Sequence, residues 1–73
     1  MSYSHIPLED MLEDLRITNE EITQYEKEND VLKGDYQRNR VTIYMNEGRI
    51  LQRNDFVKKL EEIIKETYPN YNL

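Results

Sequence analysis

The chain has 73 residues, no cysteine, and fifteen acidic against ten basic side chains, for a formal net charge of -5. A chain this short buries only ~60% of the surface it exposes when unfolded. With no disulfide or metal cluster to staple it, idealised packing or self-association must supply the rest, so a homodimer is expected. No window approaches the ~18 apolar residues of a membrane span, and the opening MSYSHIPLED lacks the basic and apolar regions of an export signal. These features predict one small cytoplasmic domain over residues 1-73, with no membrane partner and no cofactor.

Ser4 is placed to cap a first helix, and Pro7 suits its first turn, where a missing N–H costs nothing. Leu8, Met11, Leu12 and Leu15 then share one face, while Glu9, Asp10, Glu13 and Asp14 lie largely on the other. Thr18-Asn19-Glu20-Glu21 has capping-box spacing, with Ile17 and Ile22 set for a hydrophobic staple. A kink or break near Ile17 is therefore expected, followed by a second helix that Gly34 stops. The two helices are either separate or fused, and together they form an acidic helical part, residues 5-33.

Residues 40-68 are expected to form a hairpin-helix part. Val41, Ile43 and Met45 alternate with Thr42 and Tyr44, Asn46-Glu47-Gly48 offers a turn, and Arg49-Ile50-Leu51-Gln52 returns. Asn54 is a candidate N-cap for a closing helix that aligns Phe56, Leu60, Ile63 and Ile64. The fold class this predicts is α+β: two N-terminal helices, a β-hairpin and a C-terminal helix.

A second periodicity runs through both parts. Every seventh residue from Leu8 to Ile64 reads Leu, Leu, Ile, Asn, Tyr, Ile, Ile, Val, Ile. The companion heptad position (Met11, Thr18, Tyr25, Leu32, Asn39, Asn46, Arg53, Leu60) turns polar from Asn39 to Arg53, which disfavours one continuous coiled coil. A coiled coil over residues 8 to 33, paired across a dimer, remains as an alternative.

Charge is distributed unevenly. Residues 1 to 33 hold Glu9, Asp10, Glu13, Asp14, Glu20, Glu21, Glu26, Glu28 and Asp30 against Arg16, Lys27 and Lys33, whereas the remainder sums to +1. Glu9/Glu13 and Asp10/Asp14 are like-charged i,i+4 pairs, which cost a helix a few tenths of a kcal/mol each. Carboxylates repeating once per ~5.4 Å turn suit a row that imitates a phosphate backbone. His5 is the lone histidine, with no nucleophile arranged around it, and no phosphate loop accompanies the carboxylates. Neither an enzyme nor a metal site is expected.

The acidic segments LEDMLEDL and NEEITQYEKEND, in a short cysteine-free chain, resemble small proteins that phages make against host replication, transcription or defence machinery. Some of these mimic DNA or plug the polymerase sliding clamp. Gln52-Arg53-Asn54-Asp55-Phe56 also resembles the bacterial clamp-binding peptide, with Asp55 where that peptide has an aliphatic residue. This likeness implies an inhibitor in the host cytoplasm whose partner is a DNA-binding or DNA-encircling protein and whose contact surface is the nine carboxylates.

Ile17-Thr18-Asn19-Glu20-Glu21-Ile22, with Asn46-Glu47-Gly48-Arg49-Ile50 and Arg53-Asn54-Asp55-Phe56, is similar instead to small winged-helix excisionases. That likeness implies a DNA-binding accessory factor in which Arg38 and Arg40 meet phosphates, Arg49 and Arg53 flank the wing, and Tyr44 packs on the backbone. The segment that would enter the major groove, EKENDVLKGDYQRNR, opens acidic, contrary to the basic footprint such proteins carry.

Overall fold

In a computed structural model, which describes residues 6–73, two long helices lie antiparallel across a short turn. α1 spans Leu8–Leu32, a 3₁₀ turn covers Lys33–Asp35, and α2 spans Tyr36–Thr67. At ~1.5 Å per residue, α2 alone accounts for the 47 Å long axis of the molecule. The start of α1 therefore meets the end of α2. Tyr68 donates its hydroxyl proton to the Ile6 carbonyl at 3.2 Å and closes that open end.

Burial follows the heptad. In α1 the inward positions are Leu8, Met11, Leu15, Thr18, Ile22, Tyr25, Asn29 and Leu32, all buried or half-buried. The facing series in α2 runs from Asn39 through Ile43, Asn46, Ile50, Arg53, Val57 and Leu60 to Ile64. Alternating steps of three and four residues keep one stripe on the seam, as two packed helices require. The seam is apolar at the open end, where Ile6, Leu8, Leu12, Leu15, Ile63 and Tyr68 pack around Met11, Leu60 and Ile64. Towards the turn it becomes polar, with Asn29 and Asn46 buried beside Ile43.

The α+β expectation is overturned: among the described residues there is no strand, and Val41–Gln52 lies within α2. The period-two pattern fails on burial. Ile43 is wholly buried, but Val41 and Met45 are 66% and 52% exposed, so only one of the three faces a core. Gly48 is helical, with no positive φ, and Asn54 sits in mid-helix rather than at a cap. The break near Ile17 is also absent. Thr18 is buried within α1 and donates its hydroxyl to the Asp14 carbonyl at 2.7 Å, a bond available inside a helix without any capping box. Pro7 is the N-cap residue, its carbonyl accepting from the Asp10 and Met11 amides. The proposed cap Ser4 lies outside the described residues.

The turn is made with few residues. Lys33 donates its amide to the Asn29 and Val31 carbonyls as α1 ends, and Asp35 caps α2 by accepting from the Arg38 amide at 3.4 Å. Asn39 reaches back from α2 to donate to the Leu32 carbonyl at 3.1 Å, satisfying a group the helix end would leave open.

Candidate functional site

The nine carboxylates of the opening helix do not form one row. By heptad position, Glu9 and Asp30 share one outer column, Asp10 another, and Glu13 and Glu20 a third. Asp14, Glu21 and Glu28 lie along one flank of the seam, and Glu26 along the opposite flank. Several are already engaged. Arg16 pairs with Glu13 through two of its nitrogens and reaches Glu20 at 2.6 Å, so it offsets one of the two charges of that column. The hydrogen bond from Arg16 holds the Glu13 carboxyl below the usual carboxylate range. Glu21 pairs with Arg53 across the seam at 3.6 Å, and Glu28 accepts from Asn46 at 3.0 Å.

Folding creates a different acidic feature. Because the helices are antiparallel, residues 8–20 pack beside residues 55–67. Together these hold nine acids and four bases, whereas residues 21–54 hold six of each. The entire net charge therefore sits at the open end of the hairpin. Glu9, Asp10 and Asp14 on α1 are joined there by Glu62 and Glu66 on α2, all exposed. The sequence alone does not show this arrangement, because Glu62 and Glu66 come to the end that holds Glu9 and Asp10 only through the reversal of the chain.

The DNA-contact residues of the excisionase likeness all lie on α2, in which the expected wing is helical, while its Ile17–Ile22 segment lies within α1. Arg38, Arg40 and Tyr44 are exposed, on different columns of the helix. Arg49 and Arg53 turn inward instead, with their guanidinium carbons 5.6 Å and 4.9 Å from the centre of the Tyr25 ring, a geometry suited to cation–π attraction. Phe56 of the clamp-peptide likeness is 39% exposed on the flank of α2, inside a helix rather than an extended peptide.

Beside these arginines lies a polar layer that the sequence reading treated as a failure of the heptad. Arg49 donates to Asn46 Oδ1 at 3.1 Å, Asn46 donates to Asn29 Oδ1 at 2.9 Å, and Asn29 donates to the Ile43 carbonyl at 3.3 Å. Both asparagines bond across the seam, which only one vertical alignment of the helices allows, and Arg49 on the same helix satisfies the Asn46 oxygen. The signal was available, since Asn29, Asn46 and Arg53 all occupy heptad core positions.

One hollow among the described residues is an open groove along exposed side chains, lined by Arg16, Glu20 and Lys27 among others. Among the described residues no group of three or more His, Cys, Asp or Glu could hold a metal ion, and no helix is long and apolar enough to cross a membrane. His5 lies outside the described residues.

Tyr36 and Tyr44 form an exposed pair near the turn, edge to face with centroids 6.5 Å apart. Tyr36 donates its hydroxyl to Tyr44 at 2.9 Å, and that bond raises the Tyr36 phenol above its ordinary value. The neutral form is the bonded one, so the contact contributes below the ordinary phenol pKa and is lost as pH rises through the raised value. In a ring-carbon NMR titration, Tyr36 should ionise at higher pH than in a Tyr44→Phe variant; identical curves would show that the bond does not form in solution.

No family model matches the chain, and no curated protein or solved structure is similar to it.

Proposed function

We propose that the chain is a small acidic binding protein that presents the open end of its hairpin to the basic, DNA-facing surface of another protein, as a phage-type inhibitor of a host DNA-handling protein would. The observation that supports this reading is the gathering of the whole net charge at one end, from both helices. An excess of exposed carboxylates at one end attracts a basic surface and accelerates encounter with it. The contact surface is the end of the hairpin as a whole rather than a strand-like row, because the acids lie on the outer faces of both helices and Arg16 interrupts the Glu9–Asp30 column of α1. The turn end, balanced in charge and carrying Arg38 and Arg40, faces away from that partner.

The test is affinity capture from bacterial lysate with the native chain and with a Glu9→Gln, Asp10→Asn, Asp14→Asn, Glu62→Gln, Glu66→Gln variant. The native chain should retain a DNA-binding or DNA-encircling protein that competing duplex DNA releases. The variant should lose it while keeping the helical circular dichroism spectrum. Equal capture by both chains, or gel-shift binding of DNA by the native chain itself, would remove the proposal.

A further inference from the structure

We propose that the closed hairpin exchanges with a domain-swapped dimer in which the turn straightens, α1 and α2 become one rod, and the seam is rebuilt between two copies of the chain. Four observations converge on this second arrangement. The first is the phase of the heptad. The step from Asn29 to Tyr36 to Ile43 crosses the turn without a stutter, although a closed hairpin needs only that each helix present its own stripe. A continuous rod needs the two stripes to be in phase, and they are.

The second is the turn itself. Leu32, Lys33 and Tyr36 all have right-handed helical torsions, whereas Asp35 departs at φ -134° and ψ 75°. No described residue has positive φ, and a Cβ added at Gly34 would meet nothing within 4 Å. Straightening therefore asks for a change centred on Asp35, and alanine fits at position 34 in the closed turn.

The third is the pairing. Asn29 meets Asn46, Glu21 meets Arg53, and Met11 packs with Ile64, so partners mirror one another about Gln37. Two rods crossing antiparallel at that point recreate every one of these pairs between chains. The two states then share their seam and differ in the turn and in the entropy of association, which makes concentration the deciding variable.

The fourth is Tyr36. It occupies a heptad core position yet is 43% exposed, because the chain has only just reversed there. In the rod it faces the neighbourhood of Asn39 on the second copy, and the opposing helix covers it.

The experiment uses the full chain carrying spin labels at Gln24→Cys and Gln52→Cys, both exposed sites, refolded from urea with an excess of unlabelled chain so that only distances within one chain are read. In the closed hairpin the labels lie across two adjacent helices, within ~20 Å. In the rod they are 28 residues apart along one helix, or ~42 Å. The long distance should appear as total protein rises to millimolar. A Gly34→Ala/Asp35→Ala chain, which favours helix through the turn and loses the cap, should show it at about a hundredfold lower concentration. Sedimentation equilibrium should report a dimer under the same conditions. The proposal is overturned if the native chain does not show the long distance up to millimolar concentration, or if its dimers form with the short distance alone, as closed hairpins packed face to face would give. The native chain is decisive by itself, so a variant that failed to fold would not protect the idea.

Discussion

Ile43→Ala will lower the melting temperature by roughly 10–40 °C, while Val41→Ala, two residues away, will leave it unchanged or raise it slightly. Ile43 is fully buried against α1, and trimming a buried isoleucine to alanine typically costs ~2–5 kcal/mol. A domain of this size is stable by only ~4–11 kcal/mol, and each kcal/mol moves its transition by ~4–8 °C. Val41 is 66% exposed on the outer side of α2. Replacing it loses little burial and removes a β-branched side chain that a helix disfavours by a few tenths of a kcal/mol. A strand would treat the two residues alike, since both belong to its period-two face. Thermal melts followed by circular dichroism separate the cases, and equal destabilisation by both substitutions would contradict the helical assignment of Val41–Gln52.

That contrast shows why the first half of the fold was legible and the second was not. In α1 the apolar residues Leu8, Met11, Leu12, Leu15 and Ile22 have helical spacing over many turns, and no competing period fits them. In α2 the window Val41 to Met45 is five residues long, and a helix that keeps Ile43 inward can carry exposed apolar neighbours on either side by chance. Asn46-Glu47-Gly48 then reinforced the wrong reading, because a glycine after asparagine is a strong turn signal. Here it is a mid-helix glycine, worth about 1 kcal/mol of lost propensity that seam packing outweighs. The seven-residue repeat carried the correct answer from Leu8 to Ile64. Asn39, Asn46 and Arg53 interrupt its apolar character, yet polar core residues are compatible with a coiled coil when they find partners. The acidic site was legible as composition in the first thirty-three residues. Its position at the open end was not, because it depends on Glu62 and Glu66 returning to the same end of the molecule as Glu9 and Asp10, which only the reversal at Asp35 brings about.

The polar layer yields the other large effect, with opposite signs for single and double substitutions. Asn46→Ala removes the donor to Asn29 Oδ1 and the acceptor of Arg49, in a place where Asn46 is fully buried and Asn29 nearly so. Leaving buried polar groups unpaired costs ~1–3 kcal/mol, and the vacated volume adds to it, so the urea midpoint should fall clearly. Asn29→Leu/Asn46→Leu removes both partners and fills the seam. Exchanging a buried polar pair for apolar residues of similar volume is often neutral or stabilising, and for buried ion pairs by ~1–4 kcal/mol, so the double variant should unfold at higher urea than the native chain. What it should lose is the alignment. With both amides gone, Arg49 retains only its contact with the Tyr25 ring, and the leucines pack nearly as well one heptad away. Amide NMR spectra of the double variant should therefore show extra or broadened resonances from residues 25–50, and equilibrium sedimentation should show a wider spread of oligomers. A double variant less stable than Asn46→Ala would mean that the asparagines hold the hairpin together, whereas a more stable one with a single sharp spectrum would mean that they do not set its register.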